Sequence, residues 1–328
     1  MSQSSKTRSA EHSPERLRSI RRDIMPIVGL AALIVVFGTA QPRFFSGNNF
    51  NTLLGQIAPI LVVALGQTFM ILMGSIDLSI PGIIFLSSLA CVLCLNYGLH
   101  PFVAILAAVG VGLGVGFANG VLVTKLKIPS ILATLGMLQV CTGIIVIVSG
   151  GRYKLTGSPL FQQITVGSFI GPIPNDIIWA ITIWSVCMLL AYRSSFGRYI
   201  YAIGGGELVS QLSGIQVSRY KLATFMLCGV LAGLGGVLVT GRFGGSESGV
   251  DLSFMIDSIA AVTVAGTAVT GGVGGPERTL VGAVILGVID NGMAITGIDS
   301  YTQMWIRGLL IVFCVAISID RRKIPIMK

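Results

Sequence analysis

The feature that most constrains this chain is the absence of charge from two long runs. No Asp, Glu, Lys or Arg occurs from Phe44 to Ile76, and none from Leu78 to Thr124. A helix crosses a bilayer with roughly 20 apolar residues, so these runs hold several crossings. A β-barrel would show short segments of alternating polarity instead. Charged residues are 11% of the 328 and hydrophobic ones 53%, whereas a soluble domain is roughly 25% charged. The fold expectation is an all-α, polytopic membrane protein.

Ten spans are predicted: Ile24–Ala40, Leu53–Met73, Ile80–Asn96, Pro101–Val123, Ile131–Ser149, Ile177–Tyr192, Leu222–Thr240, Phe254–Gly272, Thr279–Thr296 and Thr302–Ile319. A basic tail, residues 1–23, precedes this membrane domain of residues 24–320, and a second basic tail, 321–328, follows it. The first part of the leading tail reads as disordered, and nothing after the first span resembles a signal-peptide cleavage site. In the eighth span, Ala265–Gly275 is so rich in Gly and Thr that a broken or tightly packed helix is expected. Ten spans place both termini on one side. With the amino terminus inside, seventeen of the 22 Lys and Arg fall on inside segments, the bias the positive-inside rule requires. The termini are therefore expected in the cytoplasm. Arg307, about five residues into the last span, is expected to snorkel to the outer interface, and Asp257, near the outer end of the eighth, to reach lipid headgroups.

The net charge of +9 does not point to nucleic acid, because the basic residues sit at the ends of apolar spans. Cys91 and Cys94 form a CxxC inside an apolar run, which reads as buried free thiols. Phe117–Gly120 (FANG) closes the fourth span and Ile289–Gly292 (IDNG) the ninth. Each is the fourth helix of a five-helix half, so two such halves would have inverted topology.

The chain offers little chemistry. It has no GxxxxGK[ST] phosphate loop, no HExxH, no Cys/His cluster and no GxSxG, and its histidines are His12 and His100. An enzyme is not indicated. Asp77, in Gly74–Gly82 (GSIDLSIPG), is expected to cap the third span, with its carboxylate against the positive helix end. Asp290, beside Asn291 and deeper in its span, must pair or be protonated. No intramembrane His, Lys or Glu is present to build a proton relay. Gln56, Gln67, Asn119, Thr134, Gln139 and Asn291 either line a path for a neutral hydroxylated solute or bond neighbouring helices together.

The longest inside interruption is Arg193–Lys221. The glycine run Gly204–Gly206 is predicted to open a short helix, Glu207–Leu212, which Ser213-Gly214 ends. Such a helix either docks into another protein or belongs to an ordinary surface loop. The long outside loop Gly150–Asp176, with its glycines and prolines, is expected to be irregular. It either receives an extracytoplasmic partner or joins two spans.

Five stretches, in order, resemble the membrane-spanning permease subunits of ATP-binding-cassette importers for sugars of the ribose, xylose, arabinose and galactose kind: GSIDLS (Gly74–Ser79), IPSILATLGML (Ile128–Leu138), FGRYIYAIGGGELVSQLSGI (Phe196–Ile215), IAAVTVAGTAVTGGVG (Ile259–Gly274) and LGVIDNGMAITGI (Leu286–Ile298). The resemblance implies a bacterial cytoplasmic (inner) membrane location and a dimer with a second permease copy or a paralogue. It also implies a periplasmic solute-binding protein and a separate ATP-binding subunit, with ATP and Mg on that subunit and no cofactor in this chain. Gly206, Glu207, Leu212, Ser213, Gly214 and Ile215 would then form the ATPase-coupling helix, and Gly74, Asp77, Leu78 and Ser79 a junction motif on the cytoplasmic side. Asn119, Thr134, Asp290 and Asn291 are the candidates for the translocation path. Gly206 and Asp290 stand where the family commonly has Asn, Val209-Ser210 where it has paired alanines, and Pro81 follows DLSI where many members have DLSVG. A secondary carrier or facilitator for a small polar solute is the alternative.

Overall fold

The computed structural model describes residues 14–318, so residues 1–13 and 319–328, and the parts of both basic tails they hold, lie outside the description. The chain is a polytopic, all-helical membrane protein. In order, its elements are α1 (Pro14–Ala40), α2 (Gly47–Leu72), α3 (Ile80–Asn96), α4 (Pro101–Thr124), α5 (Ser130–Ser149), β1 (Lys154–Leu155), α6 (Pro159–Thr165), α7 (Asn175–Arg193), α8 (Ser195–Gly205), α9 (Glu207–Leu212), α10 (Val217–Phe243), β2 (Gly245–Ser246), α11 (Ser253–Val264), α12 (Pro276–Ile295) and α13 (Ser300–Ser318). Among the described residues, six helices (α2, α4, α5, α7, α10 and α12) are long and apolar enough to cross a membrane. A helix lies on each of the ten predicted spans.

The eighth span differs from a single helix. Its helix, α11, has 12 residues, about 18 Å at 1.5 Å per residue, and ends at Val264. The chain then runs irregularly to Gly275, with Gly266, Gly271, Gly272 and Gly274 at positive φ. This is the break that the Gly/Thr-rich composition announced.

Helix α2 is the axis of the bundle. It is buried from Ile57 to Leu72, and α7, α10, α11 and α12 pack around it. Helix α10 joins α2 to α4, and small residues make that contact close. A Cβ at Gly112 of α4 would fall 2.1 Å from the Gly229 carbonyl oxygen of α10, and one at Gly229 would fall 2.1 Å from the Gly112 carbonyl. No rotamer relieves a clash with backbone, so both positions require Gly. Helix α1 lies against α12, with Leu33 and Phe37 packed on Ile289 and Met293.

The loop Gly150–Asp176 runs irregularly, as expected, but holds two short regular elements. Strand β1 pairs antiparallel with β2, Lys154 opposite Ser246. Helix α6 buries Phe161 completely, the Trp179 indole N–H donates to the Ile164 carbonyl, and the Asn175 amide donates to that of Gln163. The Tyr153 hydroxyl donates to the Phe243 carbonyl at 2.6 Å. Burial and the neighbouring Glu247 carboxylate push that phenol up. Prolines and glycines hid a cap made by long-range side-chain bonds.

Candidate coupling and translocation sites

At one end of the bundle, the predicted short helix is present as α9, within its predicted bounds. Its C-terminal signal holds in detail. Gly214 has φ +84, the Ile215 N–H donates to the Ser210 carbonyl at 3.1 Å and the Gly214 N–H to that of Gln211 at 3.1 Å. These are the paired bonds of a Schellman helix end. The helix turns Leu208 (69% exposed), Val209 (68%) and Leu212 (81%) outward, while Ser210 is buried. Ile215 packs against the main core. Glu207 is tied to Lys221 of α10 at 2.7 Å.

The start of α9 corrects the sequence reading. Gly204 and Gly205 do not open α9; they close α8, a helix that the polar composition of the loop concealed. Ile200 and Ile203 of α8 face inward, with Gly197 packed on the Ala191 carbonyl. The spacing of Phe196, Ile200 and Ile203 at i, i+4 and i+7 was the available signal. Helix α8 presses on the end of α2. A Cβ on Gly204 would meet the Leu72 carbonyl oxygen at 1.8 Å and the Gly272 nitrogen at 2.6 Å. The Gly272 N–H in turn donates to the Leu72 carbonyl at 2.9 Å, and the Tyr201 hydroxyl to the Gly274 carbonyl at 2.7 Å. The end of α2, the segment after α11 and helix α8 thus meet at one point.

Beside that point lies the junction motif. Asp77 is fully buried. Its Oδ1 accepts from the Ser79 N–H at 2.8 Å and the Ser79 hydroxyl at 2.6 Å. Ser79 is the residue before α3, so the carboxylate organises the helix start through Ser79 rather than by bonding the first-turn amides. The Asn119 amide of α4 donates to the Ser79 hydroxyl at 2.8 Å, and Thr134 of α5 accepts from the Leu78 N–H at 3.0 Å. Asn119 and Thr134 therefore join the junction motif and bind three helices together. Gly74, at φ +78, makes the turn out of α2.

Asp290 and Asn291 are not brought near Asn119 or Thr134. Asn291 lies at the opposite end of α2, where its Oδ1 accepts from the Asn49 amide at 2.8 Å and its amide donates to Gln56 Oε1 at 3.3 Å. The two Asn-Gly pairs thus sit at opposite ends of the bundle. Asp290 pairs as its burial requires. Arg307 Nε of α13 stands 2.7 Å from Asp290 Oδ1, and Arg307 Nη1 stands 3.5 Å from Asp257 Oδ2. Neither Arg307 nor Asp257 behaves as expected. Arg307 turns inward to the carboxylates instead of snorkelling outward, and Asp257 is 5% exposed instead of reaching for headgroups. Two carboxylates at this depth attract the guanidinium more strongly than the interface does. Asp257 and Arg307 lie near the starts of α11 and α13 and Asp290 near the end of α12, each about 6 to 11 Å in at 1.5 Å per residue; that shared depth was a signal in the sequence. These residues border a cavity of about 250 Å³ between α2, α10, α11, α12 and α13.

Comparison with known proteins identifies the family. Residues 49–315 match the family described as the permease component of branched-chain amino acid transport systems. The ribose import permease protein RbsC of Escherichia coli K12 is 32% identical over 301 residues, 90% of this chain and 93% of that protein. RbsC of Bacillus subtilis is 33% identical, covering 93% of this chain and 94% of its own. The D-allose transport system permease protein AlsC of E. coli K12 is 32% identical, covering 88% and 89%. No solved structure matches. The match supports a permease subunit and not a secondary carrier, and the chain belongs to this family of transport-system permease components.

Proposed function

We propose that the chain is the permease subunit of an ATP-binding-cassette importer for a small neutral sugar, working in a bacterial cytoplasmic membrane with ten spans, two inverted five-helix halves and both termini inside. The ATP-binding subunit docks on α9, carrying ATP and Mg; a periplasmic solute-binding protein docks on the cap formed by β1, β2 and α6; a second permease copy or paralogue completes the path. The relatives named for ribose import and D-allose transport supply the solute class. The observation that carries the reading is the construction of α9. Its apolar side chains Leu208, Val209 and Leu212 face outward, while its neighbour α8 is wedged against Leu72 and Gly272. An apolar face on so short a helix loses free energy in water and is stabilised by a partner groove.

The same contact explains how force reaches the solute path. Helix α8 touches the inner end of α2 and the α11–α12 connection; α2, α11 and α12 line the cavity at their other ends. From Leu72 to Gln56 along α2 is about 24 Å at 1.5 Å per residue. Closure of the ATPases displaces α9 and α8, and these three helices carry the displacement to the outer cavity.

The test is gentle purification from the native membrane through a carboxyl-terminal tag. An ATP-binding subunit is expected to co-purify and to be lost from Leu212→Glu, which the exposure of Leu212 allows to fold. A purified permease without such a subunit, under conditions that keep a control importer whole, would overturn the reading.

A further inference from the structure

The cavity near Arg307 has a composition that selects among solutes. Gln56 of α2, Phe254 and Asp257 of α11, Asp290 of α12 and Arg307 of α13 line it, together with Arg242 and Asp251. Its charged lining is three carboxylates against two guanidiniums, and Arg242 is further drawn to Asp176 at 3.7 Å. A mobile anion therefore meets a net negative wall. Asp257 is more than nine-tenths buried, yet its one ionic partner among the described residues is Arg307 at 3.5 Å. Among the described residues, no hydroxyl or amide donates to it. A buried ion cluster with acceptor capacity left over contributes little to stability, and ionisable groups inside a membrane domain mark substrate pathways by default.

We infer that this cavity is the solute site within the membrane domain, and that Asp257, Arg307 and Asp290 bind a neutral polyhydroxylated solute of monosaccharide size and reject its phosphate ester. This deepens the importer reading and rests on it. A sugar fits the lining in chemical kind. Its hydroxyls donate to the free carboxylate positions and accept from Arg307 and Gln56 without bringing net charge. Its C–H face packs on Phe254, as ligand pockets combine apolar walls with a few placed polar groups. A phosphate would replace a hydrogen-bond donor with negative charge beside Asp257 and Asp290.

The test uses the full chain with its ATP-binding subunit and places a thiol at the rim by Ser253→Cys; the unsubstituted chain serves as the blank. The thiol is labelled from outside with a cationic and an anionic methanethiosulfonate. The cation is expected to react about tenfold faster, the low end of focusing by a charged cleft. At millimolar concentration, at least one of D-ribose, D-allose and D-fructose is expected to slow labelling, while D-ribose 5-phosphate does not. Adding Asp257→Asn or Asp290→Asn is expected to abolish the protection with the ATP-binding subunit still bound. A thiol that stays unlabelled, labelling slowed by none of the three sugars, or protection unchanged in both Asn variants would overturn the assignment. Loss of the ATP-binding subunit from the unsubstituted chain would instead strike at the importer reading, and labelling would still report on the cavity.

Discussion

Gly204→Ala isolates the contact between the docking helix and the transport helices. The added methyl would lie 1.8 Å from the Leu72 carbonyl oxygen and 2.6 Å from the Gly272 nitrogen. Both are backbone atoms, so no rotamer relieves the overlap. Helix α8 must withdraw, and the 2.9 Å bond from Gly272 to Leu72 lies in the path of the movement. Overpacking of this kind costs about 1–3 kcal/mol, and losing one hydrogen bond about 0.5–1.5 kcal/mol more. The neighbouring substitution Gly205→Ala provides the control, because its Cβ meets nothing within 4 Å. In a helix it is expected to be neutral or to stabilise by up to about 1 kcal/mol. The assay compares three quantities in the two variants: thermal midpoint in detergent, ATP hydrolysis by the assembled complex, and sugar uptake. Gly204→Ala is expected to lower the midpoint and to reduce uptake at least tenfold, the equivalent of about 1.4 kcal/mol, while ATP hydrolysis continues. Gly205→Ala should match the unsubstituted protein. Equal uptake in the two variants would refute the wedge between α8 and α2 as the route of force.

Ser79→Ala leaves the buried Asp77 carboxylate and the Asn119 amide without their shared hydroxyl. Asp77 keeps the Ser79 N–H, but the Asn119 amide loses its acceptor, and an unsatisfied buried group costs about 1–3 kcal/mol, so the variant should show a lower thermal midpoint and reduced yield in the membrane. Arg307→Gln strips the positive charge from between Asp257 and Asp290, with an expected cost of about 3–5 kcal/mol for a broken buried pair. Combining it with Asp290→Asn should recover part of the midpoint, whereas full additivity of the two losses would contradict a shared ion cluster.

Several features were legible without coordinates because their causes are local. Runs without charge dictate crossing helices, since an unpaired backbone group in hydrocarbon is too costly. The end of α9 was readable because Gly214 takes the positive φ that a Schellman bond pair needs. The break after Val264 followed from glycine density alone. Helix α8 escaped because Arg198, Tyr199 and the glycines gave its segment a polar look, although its inward face is apolar. That face becomes favourable only against α2 and α7.

The cavity near Arg307 is a different matter. Asp257, Asp290 and Arg307 belong to separate helices; Asp257 and Arg307 each alone have an outlet to the membrane interface, and Asp290 needs a partner that its own helix does not supply. Only packing of α11, α12 and α13 around α2 brings them within ion-pair reach and makes the shared solution better than three separate ones. Asn119 and Thr134 likewise looked like path residues from their polarity, and the approach of α4 and α5 to the start of α3 turned them into its hydrogen-bond partners. Sequence by itself determined the membrane class, the apolar helices and the glycine-made breaks after α9 and α11, because those follow from hydration and backbone conformation one segment at a time. Tertiary structure alone decided which polar groups meet, because a buried charge or amide is settled by what the other helices place beside it.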